Sequence, residues 1–280
     1  MKTGALTLAL AFAFGPALAA PPSPLWEDVA HPNRPRCREL AAEADRIARG
    51  RNVNQERAAI QQLLTTGVKL CARDVELLTL LGDLQVRLGD FPAARATLER
   101  ARALAPAGED RDALLALDLG LSRTMTGDLE SGLVEYRRAE SLGGLRDPWK
   151  IPYDMGDNLM ALGRLDEAIE AYRRAARLAP HEAIVRFALG VALDRDGQAE
   201  RSRGEISTAL TYDNRLSSLT SDTFMFIPPA DRHYYLALAY CARRQHGEAA
   251  VELATYLAAV PNGPYAPRAR EVQQRCVAPR

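Results

Sequence analysis

The sequence has few aromatic residues and no excess of charge of either sign. Aromatic residues make up 6% of the 280 positions. This scarcity disfavours a β-sandwich, which is typically richer in β-branched and aromatic residues. Arginine plus lysine number 36, and aspartate plus glutamate also number 36. A neutral chain has no long-range field that would draw it to nucleic acid or to an anionic membrane, so we expect neither as a partner.

Motifs for catalysis and metal binding are also lacking. The four histidines, His31, His181, His233 and His246, are not spaced as metal ligands. The chain has no G-x-S-x-G, no phosphate-binding glycine loop and no H-E-x-x-H. We therefore expect a non-enzymatic protein with no catalytic residue, no metal and no cofactor. An enzyme with an unrecognised site is the weaker alternative.

The first 19 residues have the features of a secretory signal peptide. Lys2 supplies a positive charge, an apolar run follows from about residue 5 to 14, and Ala17-Leu18-Ala19 forms an A-x-A cleavage site. Pro16 interrupts the run before it reaches the ~20 residues of a membrane-spanning helix. An uncleaved anchor is the alternative. No later segment is apolar enough to span a membrane, so we expect a periplasmic or secreted protein whose linker covers residues 20–35.

What the sequence does contain is an internal repeat built of units that are 34 residues long. In each copy a first glycine, a turn glycine, a small residue and a later alanine recur at the same spacing. The four clearest sets are Gly82, Gly89, Ala94 and Ala101; Gly120, Gly127, Gly132 and Ala139; Gly156, Gly163, Ala168 and Ala175; and Gly190, Gly197, Ser202 and Ala209. Between these residues the apolar positions recur at helical intervals and no segment alternates as a strand would.

This pattern resembles the tetratricopeptide repeat, a helix–turn–helix unit with small residues at fixed places. The resemblance implies an all-α, right-handed α-solenoid. We place a degenerate N-terminal helix hairpin at 36–72, four units at 75–108, 113–146, 149–182 and 183–216, and a fifth unit at 230–263. A capping helix follows at 264–276. The small residues would let paired helices approach closely, Gly82 facing Ala94 and Gly156 facing Ala168, while the turn glycines would end the first helices.

The four cysteines lie at the two ends of this array, where terminal repeats have one neighbour only. An antiparallel hairpin would bring Cys37 to Cys71. Because adjacent first helices run parallel in this family, Cys241 would meet Cys276. Each disulfide would close a loop of about 34 residues and stabilise the fold by roughly 3–4 kcal/mol. A redox or metal role is the less favoured alternative.

The family also implies a binding surface. Its first helices line a concave groove, and the matching positions here form an apolar stripe that we call the wall residues: Leu117, Leu121, Met125, Tyr153, Asp157, Met160, Ile184, Phe187, Val191, Tyr234 and Leu238. An exposed stripe of this size usually marks a partner site, so we expect a protein or peptide partner. The alternative is that a tight superhelix, or the chain itself, covers these residues.

Residues 217–229 break the period, and we call them the strap. Phe224, Met225, Phe226 and Ile227 precede two prolines, which favours an extended apolar segment. The strap either packs on its own solenoid, bridging the fourth and fifth units, or docks a partner. The groove and the strap lead to two hypotheses for the function. The first is an exported scaffold or adaptor that binds a partner segment in the groove. The second is an accessory subunit that positions or regulates an exported enzyme through the strap.

Overall fold

The computed structural model describes residues 34–48, 53–70, 72–105, 113–221 and 226–277. These residues form fourteen α-helices and no strand, which confirms the all-α prediction. The helices are α1 Arg34–Ala48, α2 Val53–Leu70, α3 Val75–Arg87, α4 Phe91–Leu104, α5 Ala113–Met125, α6 Leu129–Leu142, α7 Lys150–Ala161, α8 Leu165–Leu178, α9 Ala183–Arg195, α10 Ala199–Tyr212, α11 Ser217–Thr220, α12 Asp231–Ala242, α13 His246–Ala259 and α14 Ala266–Val277. None of these helices is long and apolar enough to cross a membrane.

Each 34-residue unit holds one helix hairpin, and successive hairpins stack. The first helices α3, α5, α7, α9 and α12 begin at or within one residue of the start of their units. Within a unit the two helices pack closely, and each second helix also packs on the first helix of the next unit. The signal peptide predicted for residues 1–19 lies outside the described residues, and helix α1 begins inside the predicted linker.

The turn between paired helices requires a left-handed residue. Gly163 occupies this place in the third unit with a φ of +73° and no neighbour near its missing side chain. Its N–H donates to the Met160 carbonyl (3.1 Å), and the N–H of Arg164 donates to the Leu159 carbonyl (2.8 Å), so both bonds close the helix end. In the fifth unit Arg244 takes the same conformation with a φ of 61°.

Small side chains let the paired helices approach, but the closest partner is not the predicted one. A Cβ added to Gly82 would lie 2.3 Å from Leu98, and one added to Gly156 would lie 2.4 Å from the ring of Tyr172. The partner therefore stands four residues after the alanine that the spacing indicated, which in these units is Ala94 and Ala168. The reason is geometric: the larger side chain projects across the gap that the glycine opens, while both alanines are fully buried beside it.

The strap begins with a helical turn, α11, which precedes the segment predicted to be extended. The Asp213 carboxylate accepts hydrogen bonds from the backbone N–H groups of Ser217 (2.9 Å) and Ser218 (2.8 Å) and caps this turn. Asp213 precedes the strap, so the apolar pattern of the strap alone did not predict this turn. Leu219 in the turn is fully buried.

The second part of the strap packs on the solenoid. Phe226 is buried, and its ring meets the ring of Tyr235 edge to face at 5.1 Å. Ile227 is half-buried. Phe224 and Met225 lie outside the described residues, so their packing stays a prediction.

The C-terminal helix is tied to the fifth unit. The structure joins Cys241 in α12 to Cys276 in α14 by a disulfide, with Cα atoms 5.8 Å apart. Helix α14 packs on α13. At the other end Cys37 is buried, but Cys71 lies outside the described residues, so the Cys37–Cys71 pairing stays a prediction.

Candidate functional site on the first helices

The structure buries most of the wall residues. Eight of the eleven are at most 7% exposed: Leu117, Tyr153, Met160, Ile184, Phe187, Val191, Tyr234 and Leu238. Leu121, Met125 and Asp157 are half-buried. The wall is therefore not an open apolar stripe over the third to fifth units. As the structure stands, these side chains hold helices together instead of facing a partner, and their binding role stays a prediction.

The chain's own C-terminal residues contribute to this burial. The Tyr265 hydroxyl, which precedes α14, donates a hydrogen bond to the carbonyl of Met160 at 3.1 Å, linking positions 105 residues apart. The guanidinium of Arg195 lies 4.0 Å from the Tyr265 ring and 5.0 Å from the Tyr234 ring. These cation–π contacts hold the fourth unit, the fifth unit and the segment before α14 together.

A buried ionic network fixes the same junction. The Asp194 carboxylate accepts hydrogen bonds from the Tyr234 hydroxyl (2.6 Å) and from Arg268 Nε (3.0 Å) and Nη2 (2.8 Å). The adjacent Arg195 donates through Nη1 to Asp231 Oδ2 at 3.0 Å. Hydrogen bonding to Asp194 raises the pKa of Arg268, whereas burial raises the pKa of Asp231 against the opposing charge of Arg195. Removing one partner of such a pair costs about 3–5 kcal/mol, because it leaves the other charge buried without compensation.

Sequence reasoning missed this network. Asp194 and Arg195 end a first helix, where an exposed groove charge is the ordinary expectation. Their partners Asp231 and Arg268 are 36 and 74 residues away. Nothing in the repeat pattern marks the four as a set.

Asp157, a wall residue, lies in a tyrosine-rich part of the interior. The Tyr172 hydroxyl donates to Asp157 Oδ1 at 2.5 Å. Burial raises the pKa of Asp157 to about 7, while the Tyr172 hydrogen bond opposes the shift and the Asp231 charge adds to it. Among the residues that the structure describes, no group of histidine, cysteine, aspartate and glutamate could hold a metal ion.

The accessible surface of the first helices, which we call the accessible wall, lies toward the N-terminus and includes residues of the first unit beyond the wall residues. In the first unit Glu76 and Arg87 are exposed on α3, and Arg87 pairs with Asp83 one turn away. In the second unit Leu121 and Met125 on α5 are half-buried. A partner can therefore reach the first helices over these two units.

The tetratricopeptide repeat family model matches residues 79–143 and 153–215. This chain is a tetratricopeptide repeat protein. The matched ranges cover most of the first four units, and stacked tetratricopeptide repeats suggest a protein–protein interaction scaffold. No curated protein sequence matches the chain.

Solved tetratricopeptide structures share the fold at low sequence identity. The APC/C hetero-tetramer Cut9-Hcn1 is 15% identical, with 86% of this chain and 46% of that chain covered and a TM-score of 0.54. A structure of MamA ("MamA MSR-1 C2") is 23% identical, with 64% of this chain and 98% of that chain covered and a TM-score of 0.51. YrrB, a tetratricopeptide protein with an unusual peptide-binding site, is 16% identical, with 74% and 97% covered and a TM-score of 0.46. The similarities to Cut9-Hcn1 and MamA show the fold alone.

Proposed function

We propose that this protein is an exported, non-enzymatic adaptor that holds a segment of a partner protein against the first helices of its repeats. The observation that carries the proposal is the continuous array of matched hairpins, since each adds a first helix to the same surface. Export is supported by the signal-peptide features of residues 1–19 and by the Cys241–Cys276 disulfide, which suits a periplasmic or extracellular compartment.

The partner segment would lie over the first and second units. Most later wall residues are buried, whereas Glu76, Arg87, Leu121 and Met125 keep exposed or half-buried side chains. This surface combines charge with apolar contact. It therefore fits a segment in which apolar side chains alternate with charged ones.

Affinity capture from an envelope extract tests this proposal. The bait variant is Arg87→Glu with Leu121→Glu, which changes the accessible wall. The matched control is Arg137→Glu with Val134→Glu on the second helix α6, where both side chains are exposed and Val134 is 60% exposed. Circular dichroism and melting temperature establish that each bait is folded.

The proposal expects one or more proteins to co-purify with the unchanged chain and with the α6 control but not with the wall variant. If the wall variant captures the same proteins at the same level as the control, binding at the first helices is refuted.

A further inference from the structure

A cavity of about 430 Å³ lies where the second, third and fifth units meet the strap. Its walls include Met125, Met160, Ile227, Tyr256 and Tyr265. Sites for small molecules typically have volumes of about 300–1,000 Å³ and mostly apolar walls with a few polar groups. The cavity meets both conditions.

The polar group is Asp231, the first residue of α12. It lines the cavity and is only 5% exposed. Its Oδ2 accepts from Arg195 at 3.0 Å, whereas its Oδ1 is fully buried and has no hydrogen-bond partner among the described residues. A buried acceptor without a partner costs roughly 1–3 kcal/mol, so a ligand donor at Oδ1 would relieve that cost.

The charge of the pair selects a neutral donor. Arg195 already compensates the Asp231 carboxylate, and the Arg195 side chain is itself 0% exposed. A cationic ligand would add an unpaired positive charge in a buried place, which is strongly unfavourable. A neutral N–H or O–H group adds no charge.

The walls select an apolar body for the ligand. Met125 and Met160 can adapt to its shape because thioether side chains are flexible and polarisable. The rings of Tyr256 and Tyr265 offer faces or edges to an aromatic group. The ligand is therefore apolar over most of its surface and polar at one point.

We propose that this cavity binds a neutral, apolar small molecule that carries a single N–H or O–H donor directed at Asp231 Oδ1. The site is distinct from the accessible wall over the first two units, although Met125 borders both. Binding here does not depend on capture of a partner protein.

Fluorescence titration of the full mature chain tests the proposal. N-phenyl-1-naphthylamine is a suitable probe because it is neutral, apolar and has one N–H donor, and because its emission rises in apolar surroundings. We expect saturable binding of one probe per chain. The N-methyl analogue lacks the donor, and losing a hydrogen bond to a charged group should weaken its binding by about tenfold or more.

Two variants locate the site. Ala161 lines the cavity at the thirteenth position of the third unit, and Ala161→Phe should fill the space and abolish saturable binding. Ala242 occupies the thirteenth position of the fifth unit and does not line the cavity, so Ala242→Phe is the matched control and should bind as the unchanged chain does. Both variants are compared by melting temperature, so that loss of fold is separated from loss of the site.

The proposal is overturned if no saturable binding occurs up to the solubility limit of the probe. It is also overturned if folded Ala161→Phe binds as tightly as Ala242→Phe, or if the N-methyl analogue binds as tightly as the parent. None of these outcomes bears on the capture experiment above, so the two proposals fail separately.

Discussion

Close approach of paired helices at glycine is the feature most directly open to mutation. Gly156 lies inside α7, where an added Cβ would be 2.4 Å from the Tyr172 ring. Tyr172 is fully buried and its hydroxyl is held by Asp157 at 2.5 Å, so the ring cannot swing aside freely. Gly204 lies inside α10, and a Cβ added there would meet nothing within 4 Å. The two glycines therefore differ in the free space around an added Cβ, but both lie inside a helix.

We expect Gly156→Ala to be less stable than Gly204→Ala by about 1–3 kcal/mol, the usual cost of overpacking a core. Both substitutions gain about 0.8–1.0 kcal/mol of helix propensity, which cancels when the two variants are compared. Gly204→Ala alone should therefore raise stability. Urea unfolding followed by circular dichroism measures both free energies. Equal stability of the two variants would refute the claim that Gly156 is required for the approach of α7 to α8.

Three further substitutions test local features. Arg244→Gly should stabilise the chain by about 0.5–1 kcal/mol, because the left-handed conformation strains arginine more than glycine; an unchanged or lower melting temperature contradicts this. Asp157 has its pKa raised from 3.8 to about 7, so the native state holds a proton that the unfolded state releases. Its contribution should favour folding below about pH 4 and be lost as pH rises to about 7. Asp157→Asn should lessen the fall in unfolding free energy over that range, and parallel urea curves for both chains would contradict the shift. Cys241→Ser opens a disulfide that joins residues 35 apart, so it should lower stability by about 4 kcal/mol; unchanged thermal unfolding without reductant would show that the disulfide does not form.

The fold could be predicted from the sequence because its determinants are local and periodic. Glycines such as Gly82 and Gly163 recur at the same places in successive 34-residue units, where they allow a close helix crossing or end a helix. The partner side chain across the crossing was harder to predict. Leu98 and Tyr172 occupy ordinary apolar positions of a helix, and only the three-dimensional structure shows that they fill the gap.

The candidate site could be predicted only in part. The wall residues were found from the family pattern, but their exposure depends on long-range contacts. Tyr265 reaches Met160 across 105 residues, and Arg268 reaches Asp194 across 74. Each contact joins a residue outside the five units to a repeat. A periodic pattern contains no information about such contacts, so the covered wall and the cavity beside it could not be read from the sequence.

In this structure the chain covers most of the wall of its own third to fifth units. Hydroxyl-radical footprinting with mass spectrometry tests it directly, since residues of one type are compared with each other. Tyr153 and Tyr234 are 4% and 0% exposed, whereas Tyr212 on α10 is 47% exposed. We expect Tyr212 to be oxidised many times faster than Tyr153 and Tyr234. Oxidation of all three tyrosines at similar rates would show an open wall and contradict the account.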